Sequence, residues 1–475
     1  MTVPDYVLRL PGPIESLPSP LPPSKSMDCK HETLIFELSS HASESEYQRP
    51  DPTKRASASS TSTARKNGPV RTDVPSSTFP APLVLPDDAL DIDPRCPPQS
   101  LRSWLRLKDR NEVTSDKNVI YVAGPPEIGS DVDLMRSWSI PQTNDRGSDV
   151  PPPSLDDVVD YLAAFYHGLP VKVLPPPKLS FANWDSTPST KRAKGKTTKP
   201  SKASIPSFIG LNTHTECVRI RTRPSLDGKF AAQLNLDDLL DAAISILPED
   251  AYALLLLVNQ DLYEDDDDDF VCGRAYGGSR VAVISTARYN PTLDQQANVE
   301  RVHAWPASHC ALYVEETCRT TNASLPPKKK TKVSRQYDHD QAALSSTPTD
   351  IRSPMQQAIN AYQSLPLITA SSSAKTLTSL WLSRVCRTAS HELGHCFGME
   401  HCVYYACVMQ STASLAEDAR QPPYLCPVDL AKMLHATGST AEARYRTLLA
   451  FCNRHLDVQM FAAFAGWIGA VLGEE

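Results

Sequence analysis

The sequence lacks a long apolar run. Its longest, Met460 to Leu472, covers 13 residues, short of the about 20 that a membrane-spanning helix needs, so it reads as a packed terminal helix. The opening residues MTVPDYVLRLPGPIESLPSP contain neither a basic leader nor an apolar block of signal-peptide length. The expectation is therefore a cytoplasmic or nuclear location. A strong charge of one sign is also missing: a net charge of −7 over 475 residues argues against a general pull toward nucleic acid or anionic membrane. No internal repeat is found. Aromatics are scarce in the first hundred residues, where proline, serine and threonine crowd together, so residues 1–100 read as a mostly disordered arm. Disulfides are not expected either. Twelve cysteines in a chain with no visible export signal should stay reduced, and clustered ones then read as metal ligands.

What is present, over 101–475, is the pattern of one α/β domain with 40% hydrophobic residues in the chain as a whole, enough for a substantial core. NVIYVAG reads as a strand stopped by Gly-Pro-Pro. SLDDVVDYLAAFYHGLPVKVL reads as a helix opened by a capping-box-like Ser154 and Asp157 and closed by Gly168, with a strand after it. CVRIRTR is an alternating strand, NLDDLLDAAISILPEDAYA a helix, YALLLLVNQDLY a buried central strand and SRVAVISTARY a further strand. From Thr376 the chain reads as helical through His391, and AEARYRTLLAFC as another amphipathic helix. Residues 186–204 and 319–350 are polar insertions. The second contains PPKKKTKV, Lys328 to Lys332, either a solvated loop or a nuclear import signal. EDDDDDF reads as a solvated acidic loop, lacking the spaced ligands and turn glycine of an EF-hand calcium site.

The chemistry concentrates in HELGHCFGMEH, residues 391–401. Residues four apart share a helix face, so His391 and His395 can offer imidazoles to one ion with Glu392 beside it. Gly398 falls where the helix would end on a residue tolerant of positive φ, and His401 can then swing back as a third ligand. Three neutral imidazoles leave a fourth position for water, the open arrangement of a catalytic zinc. Zinc lowers the pKa of such a water, and Glu392 can accept its proton and deliver it to a leaving amine. Ordinary helix-face histidines would explain each residue singly but not their joint spacing. Amide hydrolysis is the natural reaction class.

These residues resemble the extended zinc signature of the metzincin peptidases, and the continuation of the chain resembles the archaemetzincins: His401, Cys402, VYYA, Cys407, Val408, Met409, then Cys426. The similarity extends through YLAAFYHGLPVKVL, VNQDLY, FVCGRA, VAVISTARY and ARYRTLLAF. The resemblance implies a twisted mixed sheet over an active-site helix, with a smaller C-terminal subdomain beyond Gly398. It implies Met409 as the apolar floor beneath the catalytic zinc. It also implies a second, structural zinc on four thiolates, of which Cys402, Cys407 and Cys426 hold three positions. The fourth position carries Asp429. Carboxylate for thiolate preserves the formal ligand charge but gives up the softer donor. Alternatively, Asp429 complements a helix dipole while water completes the shell, or the site stays empty. His435 lies about 9 Å of helix rise further on, too far for the same ion. Cys386 and Cys396, on the active-site helix, read as core thiols.

The expectation is thus a zinc metallopeptidase with two Zn2+ per chain, a peptide or protein substrate, no membrane association and no nucleic-acid partner, acting as a monomer. The resemblance implies aminopeptidase activity in particular. The rival from another class is a catalytically silent, zinc-stabilised protein-binding module, against which Glu392 argues because such a module needs no general base. Nucleic-acid binding by residues 191–202 and 328–335 is disfavoured by overall acidity and the lack of interleaved aromatics.

Overall fold

The aliphatic segments form two sheets in the computed structural model, which describes residues 31, 33–61, 74–142, 150–184, 205–322 and 352–474. The central sheet runs Gly273–Tyr276, Val281–Ser285, Ala251–Val258, Val119–Ala123, Val171–Val173. Its pairings are parallel except at the edge strand Gly273–Tyr276, which is antiparallel to Val281–Ser285. The three inner strands are buried along their whole length, as strands covered on both faces must be. Alternate residues divide between two cores. Ile120, Val122, Leu255, Leu257, Ala282 and Ile284 face the core that contains the active-site helix. Val119, Tyr121, Leu254, Leu256, Val281 and Val283 face the core shared with the helix Leu236–Ser245 and the second sheet.

That second sheet runs Glu127–Ile128, Ser180–Ala182, Phe208–Asn212, Cys217–Pro224, Ala232–Asn235, Asp261–Tyr263. The segment expected as one strand, YALLLLVNQDLY, is therefore split. Ala251–Val258 is the central strand, and Asp261–Tyr263 pairs in parallel with Ala232–Asn235 in the other sheet. The polar pair Asn259-Gln260 makes the break. Ser285 Oγ donates to the Gln260 carbonyl at 2.7 Å and Thr286 Oγ1 to Asn259 Oδ1 at 2.9 Å. The buried Asp261 then needs a cation, and Arg288 meets it with two N–H donors at 2.8 and 2.5 Å.

Leu155–Phe165 follows the first strand as expected, and Gly168 closes it at φ +110°. Ser154 stands at its N-cap but makes no side-chain cap bond. The active-site helix, Ala374–Cys396, starts on a Ser373 cap, carries both His391 and His395 and ends two residues before Gly398. It stops in a Schellman motif: Met399 N–H bonds to the Gly394 carbonyl at 3.3 Å, Gly398 N–H to the His395 carbonyl at 2.9 Å, and Gly398 has φ +73°. Beyond it come Pro427–Thr437, Ala441–Cys452 and the terminal helix Gln459–Leu472. Their apolar faces join the core of the active-site helix. Among the described residues no helix is long and apolar enough to cross a membrane.

The first hundred residues differ from the expectation of a mostly disordered arm. Segments 33–61 and 74–100 carry the short helices Pro52–Ala58 and Ala89–Ile92 and bury Phe79, Leu83, Val84, Leu85 and Leu90. Average composition concealed this because the few apolar residues cluster, as in PLVL: Val84 and Leu90 pack with Ala42, Tyr47 and Val403, and Leu83 and Leu85 against Val314 and Cys318 of the larger body. Proline suits a docked strap, whose amides need few ladder partners. The lysine run Lys328 to Lys332, both basic stretches and the 186–204 insertion lie outside the described residues, as does most of 319–350.

Candidate metal centres

One turn of the active-site helix separates His391 from His395, and the reversal at Gly398 returns His401 to them. Ligand atoms of the three lie within 4.8 Å of one another, with ring centroids 4.7, 4.9 and 5.4 Å apart. His391 Nδ1–H donates to the Val408 carbonyl and His395 Nδ1–H to the Met399 carbonyl, each at 2.7 Å. Both Nε2 atoms are thereby left as acceptors, and they face each other at 3.0 Å. Two lone pairs held that close repel unless a cation lies between them. Burial also disfavours a proton in that role, lowering His391 to about 4 and His395 to about 3. The donor set fits a zinc ion, and the carbonyl partners fix the tautomers as is usual for metal-bound histidines.

Glu392 lies on the same helix and, with His391, lines a cavity of about 90 Å³ bordered by Phe270, Val271, Tyr289, Thr388 and Leu415. Burial pushes Glu392 up to about 8, opposed by the Arg274 guanidinium. Met409 is fully buried directly under the helix at Gly394. A Cβ at Gly394 would fall 2.5 Å from Met409 Sδ and 2.9 Å from its Cε. Gly394 is thus a site residue that the spacing argument did not single out. The signal was available, since a glycine inside a helix interior is unfavourable by about 1 kcal/mol and asks for a packing reason.

Cys402, Cys407, Cys426 and Asp429 also converge, with ligand atoms within 4.8 Å of one another and all four residues buried. Cys402 Sγ is 3.5 Å from Cys426 Sγ, and Asp429 Oδ2 is 3.4 Å from Cys407 Sγ and 3.3 Å from Cys426 Sγ. Burial raises the Cys402 thiol, but hydrogen bonds from Cys407 and Cys426 and from the Tyr404 and Tyr405 amides outweigh it and hold it well below the ordinary thiol range. Burial pushes Cys407 and Cys426 up. Burial and the Cys402 charge push Asp429 up to about 6, against the pull of Lys432. Three sulfurs and one oxygen in a closed buried set have the composition of a structural zinc site. The charge balance read from the ligands alone was incomplete, because Lys432 Nζ donates to Asp429 Oδ1 at 2.8 Å. His435 stands apart, edge-on to the Trp104 ring. Cys386 and Cys396 are in the apolar core. In the acidic loop, the backbone carbonyls of Asp265, Asp266 and Asp268 accept from Arg223.

A sequence profile described as Peptidase family M54 matches residues 357–434. Archaemetzincin-2 of Mus musculus is 27% identical over 289 residues, 61% of this chain and 55% of that protein. Archaemetzincin-2 of Homo sapiens is 22% identical over 381 residues, 79% of this chain and 75% of that one. A solved archaemetzincin from Methanopyrus kandleri aligns with 67% of this chain and 94% of its own at 16% identity and a TM-score of 0.28. These likenesses support an assignment to the archaemetzincins, Peptidase family M54.

Proposed function

We propose that this protein is a zinc metallopeptidase that hydrolyses peptide bonds, with Glu392 as general base and acid and with cleavage from the amino end as its mode. The carrying observation is the convergence of His391, His395 and His401 beside a Glu392 that lines an open cavity. The three histidines would hold the ion, which supplies Lewis acidity toward water and the scissile carbonyl. Glu392 takes the proton from the attacking water and passes it to the leaving nitrogen, so no free amide anion departs. Its low-dielectric setting strengthens that exchange, and Arg274 keeps the carboxylate form accessible. Met409 and the Val408 carbonyl hold the ligand helix from below, and Phe270, Val271, Tyr289 and Leu415 offer an apolar wall to a substrate side chain. In the second centre, Cys402, Cys407, Cys426 and Asp429 would hold a structural zinc that anchors the segment next to His401.

The amino-end mode rests on the family resemblance, and free against acetylated peptides separate it from internal cleavage. Digestion of a peptide library by zinc-loaded wild type beside Glu392→Gln tests the whole reading. Cleavage by wild type and its loss in the variant are expected; equal cleavage by both, or none by fully loaded wild type, contradicts it.

A further inference from the structure

One side chain from outside both centres touches the supports of each. Gln99 is buried just before the short helix Leu101–Leu105. Its Nε2 donates to the Gly398 carbonyl at 3.0 Å, and its Oε1 accepts from the Glu400 amide at 3.2 Å and from Lys432 Nζ at 2.8 Å. The amide orientation is forced, since an ammonium and an N–H require the oxygen and a carbonyl requires the NH2. The first two bonds grip the reversal on either side of Met399, between His395 and His401. The third holds the ammonium that occupies Asp429 Oδ1 at 2.8 Å, and both side chains of that ion pair are 1% exposed. Only Asp429 Oδ2 is left to face the thiols of Cys407 and Cys426.

We infer that Gln99 is a positioning residue shared by the two centres: through Gly398 and Glu400 it sets the segment that delivers His401, and through Lys432 it presents Asp429 by a single oxygen. This rests on the proposed pair of metal centres. Partners behind the ligands of a metal site typically carry about 10- to 100-fold in metal affinity. Gln99→Leu keeps the volume and removes all three bonds. Gln99→Glu keeps the acceptor for Lys432 but sets a carboxylate against the Gly398 carbonyl. Lys432→Met disturbs Asp429 alone.

The test strips the full chain of metal and titrates it with cobalt(II), whose thiolate charge-transfer band reports the second centre and whose weaker ligand-field bands report the first. Gln99→Leu is expected to lower both affinities by about 10- to 100-fold. Gln99→Glu is expected to lower only the first, and Lys432→Met only the second. Wild-type affinities in Gln99→Leu, or a loss confined to one centre, overturn the inference. So does a Gln99→Glu chain that weakens both centres alike, a comparison that holds even if the leucine variant does not fold. Cleavage is read separately: a wild type that binds both ions, with variants that shift as stated, yet cuts no peptide sinks the hydrolase reading alone.

Discussion

Replacing Gly394 with alanine tests the floor of the site. In an exposed helix interior this change would stabilise by about 1 kcal/mol. Here the new Cβ would lie 2.5 Å from Met409 Sδ, 2.9 Å from Met409 Cε and 3.0 Å from Met399 Cε. Met409 is fully buried, so it has no open space to move into. Overpacking of this kind typically costs about 1–3 kcal/mol. The balance is a net loss of up to about 2 kcal/mol, or a fall of a few degrees in Tm for a chain of this length. Activity should fall too, because Met409 adjoins the Val408 carbonyl that orients His391. The assay is a double-mutant cycle by thermal unfolding at fixed zinc. On a Met409→Ala background, itself less stable by about 2–5 kcal/mol, the two closest contacts disappear, only Met399 Cε at 3.0 Å remains, and Gly394→Ala should recover most of its helix term. The coupling is then about 1–3 kcal/mol. A Gly394→Ala change that stabilises both backgrounds equally would refute the reasoning.

Three further outcomes are expected. Elemental analysis of purified protein should find two zinc per wild-type chain and one in Asp429→Ala; loss of both or of neither speaks against separate centres. Arg384 meets the Asp294 carboxylate with two N–H donors at 2.6 and 2.8 Å, both groups buried. Arg384→Met should therefore destabilise by about 3 kcal/mol, the low end for breaking a buried pair, because Arg301 also bonds Asp294 at 2.6 Å. An unchanged urea midpoint would count against it. Burial, with an opposing contribution from the Ala81 carbonyl, lowers His309 from 6.5 to about 4. The unfolded chain then binds a proton that the folded one refuses, so this contribution is intact above pH 6.5 and drains away as pH falls toward 4. It amounts to about 3 kcal/mol. His309→Gln should flatten the fall of Tm across that window, and an identical slope in wild type and variant would contradict the assignment.

The legibility of this protein depends on distance along the chain. His391, His395 and Gly398 could be placed because helix geometry and the φ preference of glycine are local rules, and the helix end at Gly398 was legible for the same reason. The strands Val119–Ala123, Ala251–Val258 and Val281–Ser285 were legible from unbroken aliphatic content. The transfer of Asp261–Tyr263 to the second sheet was not, because it depends on Arg288 meeting a buried carboxylate from another segment. Lys432 stands three residues after Asp429, and helix spacing could have suggested the pair. Gln99 gives no such hint: a glutamine in a proline-rich stretch has no local reason to be buried, and its partners lie some three hundred positions away. The docking of residues 33–61 and 74–100 was missed for the same reason, since segment composition reports whether a piece can bury itself, not whether something else will cover it.

Zinc-edge X-ray absorption on the full, zinc-loaded chain, taken beside a Cys402→Ser/Cys407→Ser chain that retains only the first centre, tests the central claim most directly. The remaining ion should show three imidazole nitrogens and one oxygen that no side chain supplies. An ion bound by four protein donors, or no ion at all with His391, His395 and His401 intact, would contradict it.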